Sequence, residues 1–216
     1  MRKDLTIEVR SREILYTTVF FAVSCVLVFA FAFVREGTAL GDAAAGILWI
    51  AIAFAGTLAL GRTFERERYA DTLRALMLAP AERPAIYLGK LLGILALLGS
   101  AELVLVPLVA LLFSSPMFSH PWLLVGLLAA GTVGFAAVGT LFAAMLVRAR
   151  SRDVLLPVLL YPITVPVIIA GVRGTAALVA PVVDPAVVVM WINLLIAFDV
   201  VFVTLSLWTF EPLMTE

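Results

Sequence analysis

The sequence predicts an all-α integral membrane protein: six transmembrane helices, a short N-terminal interfacial helix, and an amphipathic helix between the second and third spans. Three observations carry that prediction. The 216 residues are 63% hydrophobic and only 14% charged, with a mean hydropathy of +1.13, which excludes a soluble globular domain. The apolar residues fall into six runs, each long enough at 1.5 Å per residue to cross about 30 Å of hydrocarbon. The basic residues collect in the gaps on one side of those runs, which is the distribution that orients spans in a bilayer.

Residues 1–13 are charged, but Leu5 and Val9 stand four apart, and a short helix at the membrane surface is expected there. The first span, 14–34, is uncharged and about 31 Å long as a helix, too long for a signal-peptide core. A second span, 43–61, leads into the one long polar interval, Arg62 to Lys90. That interval holds six of the fifteen Lys and Arg residues: Arg62, Arg66, Arg68, Arg74, Arg83 and Lys90.

Within it, Tyr69, Leu73, Leu76 and Met77 recur at i, i+4, i+7 and i+8 while Asp71 and Arg74 fall off the stripe. This is the signature of an amphipathic helix over about 65–79. Pro80 ends it, and Pro84 suits the first turn of the next helix, where a missing N–H costs nothing. Such a helix buries its stripe either on the bilayer surface or in a groove of another protein. Its mixed charge fits the groove better than a uniformly basic face would.

The third span, 91–113, carries Glu102 near its middle, and the fourth, 122–147, is free of charge. Gly126, Ala130 and Gly134 lie four apart on that fourth span and form one face for close helix packing. The fifth span, 154–172, contains Pro157, Pro162 and Pro166, which predict kinks or a local break. Residues 174–185 are apolar, too short to cross and bounded by prolines, so they read as re-entrant or interfacial. The sixth span, 186–208, carries Asn193 and Asp199. A cytoplasmic N-terminus places thirteen basic residues inside and only Arg35 and Arg173 outside, with both chain ends cytoplasmic.

The chemistry-bearing residues are few. Gly89-Lys90 superficially suggests a phosphate loop, but Pro84 stands where the loop needs glycine and Leu91 where it needs Ser or Thr. With one histidine, one cysteine and no close carboxylate group, no metal site, catalytic residue or bound cofactor is expected, and a nucleic-acid partner is not indicated either. Glu102 and Asp199 stand out because a charge near mid-bilayer costs about 2.5–3.5 kcal/mol or more unless it faces protein or water. Two readings are open for them. They line a substrate path or touch a partner subunit, or they are hydrogen-bonded carboxyls that fix packing with Ser100, Tyr161 or Asn193. His120, among Phe118 and Trp122, reads as a loop histidine at the membrane interface that could also touch a haem face. Trp49, Trp122, Trp191 and Trp208 are dispersed, most of them placed as interface anchors.

Several phrases stand out together: Gly46-Ile-Leu-Trp-Ile-Ala-Ile-Ala-Phe-Ala-Gly56, Leu58-Ala-Leu60, Arg62-Thr-Phe-Glu65, Leu76-Met-Leu-Ala-Pro80 and Gly89-Lys90. Leu155-Leu-Pro-Val-Leu-Leu-Tyr-Pro162 and Pro166-Val-Ile-Ile-Ala170 belong with them. In combination these phrases resemble the CcmB family, the haem exporter protein B of bacterial cytochrome c maturation. The resemblance covers nearly the whole chain. It implies an ABC-exporter permease of the inner membrane, paired with a second permease copy and with a CcmA-type ATPase that supplies ATP hydrolysis. The other implied partners are CcmC, CcmD and the haem chaperone CcmE, with haem as substrate. In that setting the 65–79 helix becomes a coupling helix, with Arg66, Arg68, Tyr69, Leu73, Arg74, Leu76 and Met77 as its contact residues. A proton-coupled secondary transporter using Glu102 or Asp199, and a non-transporting assembly scaffold, are the alternative readings.

Overall fold

The computed structural model describes residues 2–33, 41–70, 83–146 and 151–213. They form six long helices: α1 (Arg2–Phe33), α2 (Gly41–Ala70), α3 (Arg83–Leu112), α4 (Pro121–Met145), α5 (Arg152–Leu178) and α6 (Pro185–Leu213). A single 3₁₀ turn, Met117–Ser119, lies between α3 and α4. No strand occurs among the described residues. Each helix contains a stretch long and apolar enough to cross a membrane: Glu13–Ala32, Ala43–Arg62, Tyr87–Leu112, Pro121–Met145, Asp153–Leu178 and Pro185–Thr209. This is a multi-pass membrane protein with six spans.

The helices are longer than the apolar runs that predict them. Once a span is helical, adding a residue costs one pair of dihedrals and gains one hydrogen bond, so polar flanks continue the helix without a new nucleus. The charged N-terminal residues are therefore the first turns of α1 and not a separate surface helix. α2 likewise runs past Gly61 to Ala70, so residues 65–70 extend the second span. The rest of the expected 65–79 helix, including Leu73, Arg74, Leu76 and Met77, lies outside the described residues. Pro84 stands in the first turn of α3, as its missing N–H favours.

The prolines of the fifth span make no break: α5 is one helix from Arg152 to Leu178 with Pro157, Pro162 and Pro166 inside it. The 174–185 stretch does not form a unit of its own: residues up to Leu178 complete α5, and 179–184 make the connection to α6. The α5 helix reaches that far because Gly174 and Thr175 pack inward, Gly174 against Leu127 and Trp191 and Thr175 against Trp49. At the start of α6 the backbone N–H of Ala186 donates to Asp184 Oδ1 at 2.9 Å, a side-chain cap of the kind that begins helices.

α4 is the centre of the bundle. It packs against α2, α3, α5 and α6, and most of its span is buried, whereas α1 leans chiefly on α2 and α3. Its composition explains the position, since seven of its buried residues are Gly or Ala. Small residues let backbones approach closely where lipid supplies no hydrophobic drive for association. The face expected from Gly126, Ala130 and Gly134 is turned to α6: a Cβ on Gly126 would stand 3.1 Å from Ile192, and one on Gly134 3.2 Å from Phe198.

Candidate functional site

Around α4 the bundle holds a set of buried polar contacts, each joining two helices. The best defined is built on Trp49 of α2, only 2% exposed. Its indole lies between Gly131 of α4 and Gly171 of α5, where a Cβ on either glycine would collide with the ring. Its Nε1 donates to Thr175 Oγ1 at 2.9 Å. A buried indole N–H needs such an acceptor, and here the partner is on the third helix of the group. Trp49 thus ties α2, α4 and α5 together and is not an interface anchor. Sequence spacing hides this because the two glycines and the threonine that accommodate it lie 82 or more positions away.

Glu102 of α3 is half-buried and accepts a hydrogen bond from Thr132 Oγ1 of α4. The partners suggested by the sequence are used elsewhere. Ser100 Oγ donates to the carbonyl of Leu97 at 2.6 Å, and the Tyr161 hydroxyl pairs with Thr57 Oγ1 at 3.2 Å, joining α5 to α2. Asp199 of α6 is also half-buried, and its Oδ1 is sealed from solvent without a hydrogen-bond partner among the described residues. That oxygen would stand 2.6 Å from a Cβ on Gly134, so the carboxyl occupies space that only glycine leaves free. Asn193, the third suggested partner, faces outward from the bundle.

Glu102 and Asp199 do not form a pair. Their neighbours on α4, Thr132 and Gly134, are two positions apart and so roughly 200° around the helix, which puts the carboxyls on opposite sides of it. Two acids that far around a packed helix cannot share a proton or chelate one ion. Among the described residues no group of three His, Cys, Asp or Glu side chains could hold a metal. A further tie joins α3 to α4, where the Tyr87 hydroxyl donates to the carbonyl of Ala137 at 3.2 Å. In these contacts, Asp199 excepted, polar groups that would be costly in lipid are matched between helices, which ties the spans to one another.

His120 precedes α4, with its Nδ1 3.2 Å from Ser119 Oγ, and Phe118 and Trp122 beside it are exposed. Of the expected ATPase-contact residues, Arg66, Arg68 and Tyr69 fall on the last turns of α2, with side chains outside the described residues. Leu73, Arg74, Leu76 and Met77 lie wholly outside them.

Comparison with known proteins places this architecture. A family model described as CcmB protein matches residues 1–212. The Heme exporter protein B of Rhodobacter capsulatus is 34% identical over 136 residues, 63% of this chain and 62% of that protein. The protein of the same name from Pseudomonas aeruginosa is 30% identical over 162 residues, 75% of this chain and 72% of its own length. The Haemophilus influenzae protein is 28% identical over 169 residues, 78% and 76% respectively. The match thus spans just under two thirds of the R. capsulatus relative and about three quarters of the other two.

Proposed function

The chain belongs to the CcmB protein family, and on that premise we propose that it is the permease subunit of an ATP-driven haem-export system in a bacterial inner membrane. Haem enters through the names of the relatives, all called Heme exporter protein B. In this reading the chain has no catalytic residue. ATP is hydrolysed by a CcmA-type partner, and the permease, paired with a second copy, passes the resulting movement through the membrane. CcmC, CcmD and the chaperone CcmE receive or handle the haem, and release of haem-loaded CcmE is the output.

The observation that carries the reading is the continuity of α2. It begins at Gly41, runs through the Trp49 contact and continues as helix to Ala70. Arg66, Arg68 and Tyr69 therefore ride on the same rod as Trp49, with about 30 Å of helix between Trp49 and Tyr69. A displacement of the cytoplasmic end by an ATPase would reach α4 and α5 through that side chain without a flexible joint.

The test is biochemical reconstitution. The chain is purified from its own membranes in mild detergent with whatever binds it, and ATP hydrolysis by the co-purified ATPase is measured with and without the chain in liposomes. Co-purification of an ATPase whose rate depends on the chain is expected. An ATPase-free preparation that takes up substrate in response to a proton gradient would replace this reading with the secondary-transporter one.

A further inference from the structure

α5 is built in two unlike halves. Pro157, Pro162 and Pro166 all stand in the half that begins at Arg152, and no proline follows them in the helix. Each lacks the N–H that reaches back four residues, so the rungs to the carbonyls of Asp153, Val158 and Pro162 are missing from an otherwise continuous helix. Thr164 adds to this, because its Oγ1 donates to the carbonyl of Leu160 at 2.9 Å, a back-bond that favours bending. Val158, Pro162 and Pro166 are exposed and fall within about 80° of one another around the helix, so two of the missing rungs share the outward face. A helix relieved of rungs on that face bends toward and away from the bundle more readily than sideways.

The packing divides at the same place. Beyond Pro166 the buried residues come in adjacent pairs, Ala170-Gly171 and Gly174-Thr175, with Gly171 against Trp49 and Gly174 against Leu127 and Trp191. Before Pro166 one residue per turn is buried: Leu156, Leu160 and Thr164. That half is tied to α2 by the Tyr161 hydroxyl on Thr57 Oγ1 at 3.2 Å, and by an edge-on contact of the Tyr161 ring with Phe54, 6.5 Å between centroids. Tyr161, Thr57 and Phe54 are all at least partly exposed, so the contact sits at the rim of the bundle and not in its core. Thr57 Oγ1 also donates to the carbonyl of Ala53 at 2.9 Å, and it keeps that partner when Tyr161 leaves.

We propose that residues 157–166 are a hinge in α5, on which the half beginning at Arg152 swings away from α2 while the half beyond Pro166 stays fixed, and that Tyr161 on Thr57 is the latch that closes it. The hinge itself goes beyond the permease reading, and only its use in transport rests on that reading. In the proposed topology the hinged half is the cytoplasmic one. Thr57 lies on α2 between Trp49 and the end on which an ATPase is proposed to act. A shift of α2 therefore reaches α5 twice, through Trp49 at the fixed half and through Thr57 at the hinged half. Because the fixed half is held by close packing and the hinged half by one rim contact, the same shift opens the second and leaves the first in place.

Hydrogen exchange of the full chain in lipid nanodiscs, read by mass spectrometry, compares the two halves of α5. Tyr161→Phe keeps the ring and its contact with Phe54 and removes only the latch bond. Exchange over residues 153–165 should then rise by about 3-fold to 20-fold, the range set by a hydrogen bond between membrane helices, while exchange over 167–178 stays as it was. Pro162→Ala combined with Pro166→Ala restores two rungs and should slow exchange over 153–165. At normal protein abundance this double variant should also cut cytochrome c yield several-fold, because a stiffened α5 keeps its fold and loses its motion. If the double variant does not accumulate, the Tyr161→Phe comparison decides alone. No rise in Tyr161→Phe, or a rise shared equally by residues 167–178, overturns the hinge. So does a double variant that exchanges over 153–165 as fast as the unaltered chain. Normal cytochrome c yield from a double variant that does exchange more slowly overturns the role in transport. An unaltered chain that co-purifies with no ATPase would instead count against the permease reading and leave the exchange result standing.

Discussion

Trp49 Nε1 donates a 2.9 Å hydrogen bond to Thr175 Oγ1, linking α2 to α5 across 126 positions of sequence. The bond itself is the smaller part of the contact. Hydrogen bonds between membrane helices average about 0.6 kcal/mol and reach about 1.7, whereas forcing extra atoms into a packed core costs about 1–3 kcal/mol. The ring is held chiefly by the absence of side chains at Gly131 and Gly171.

It follows that Gly131→Ala and Gly171→Ala should each destabilise the protein more than Thr175→Val. The glycine variants introduce a Cβ into a rigid indole that has no free side to move to. Thr175→Val removes only the acceptor. Thermal aggregation of the detergent-solubilised protein, followed by size-exclusion fluorescence, would rank the three. A Thr175→Val protein less stable than Gly131→Ala would show that the hydrogen bond dominates.

A second consequence concerns Gly134 and Asp199. Gly134→Ala would bring a Cβ to 2.6 Å from Asp199 Oδ1, so the α4–α6 contact must shift. If the carboxyl is the obstacle, Asp199→Ala should restore most of the stability lost in Gly134→Ala, an interaction that a double-mutant cycle measures directly. Additive losses would mean that Phe198 and Val167, the other neighbours of that position, set the limit instead.

Glu102→Gln tests the contact on the other side of α4. The glutamine carbonyl oxygen can still accept from Thr132 Oγ1, so protein abundance should stay near normal, and Asp199→Asn should likewise insert and fold. If the two carboxyls serve packing alone, cytochrome c maturation in the same cells should also be near normal. Normal abundance with lost maturation would assign them a role in transport.

Six spans were legible in the sequence because each apolar run exceeds the length that hydrocarbon demands, and that constraint is local. The packing face of Gly126 and Gly134 was legible for the same reason, since residues four apart must share a helix face. What the sequence could not convey is which helices meet. Trp49 reads as a dispersed aromatic until Gly131 and Gly171 are brought to it. Glu102 was open to several partners and took Thr132, a residue that no local spacing singles out. The helix ends were misjudged in the opposite sense: polarity marked where the bilayer ends, and helices do not stop there.

Orientation gives a prediction independent of packing. With Cys25 removed, single cysteines at positions 38 and 118 should react with a membrane-impermeant thiol reagent in intact cells, and those at 70 and 150 only after permeabilisation. The basis is the charge count, thirteen Lys and Arg on the proposed inner side against Arg35 and Arg173. Labelling of position 70 in intact cells would invert the topology and remove the surface on which an ATPase is proposed to act.

The most demanding prediction concerns the stripe that follows α2. Leu73 and Leu76 lie three apart, on one side of any helix that contains them, with Arg66, Arg68 and Arg74 placed to act at a rim. In the proposed complex these leucines fill a groove of the ATPase, and rim charges affect association more than final affinity. Replacing both by Asp would bury two unpaired charges there. Even a few kcal/mol apiece exceeds the difference between micromolar and millimolar binding, which is about 4 kcal/mol in total. Insertion should be unaffected, because in the sequence both residues lie in the polar interval between the second and third apolar runs. The measurements are membrane abundance, co-purified ATPase and cytochrome c yield from the same cells. Normal abundance with loss of the other two is expected. A double variant that keeps its ATPase and supports maturation would mean that this stretch lies on the bilayer surface, and that whatever moves α2 acts on it elsewhere.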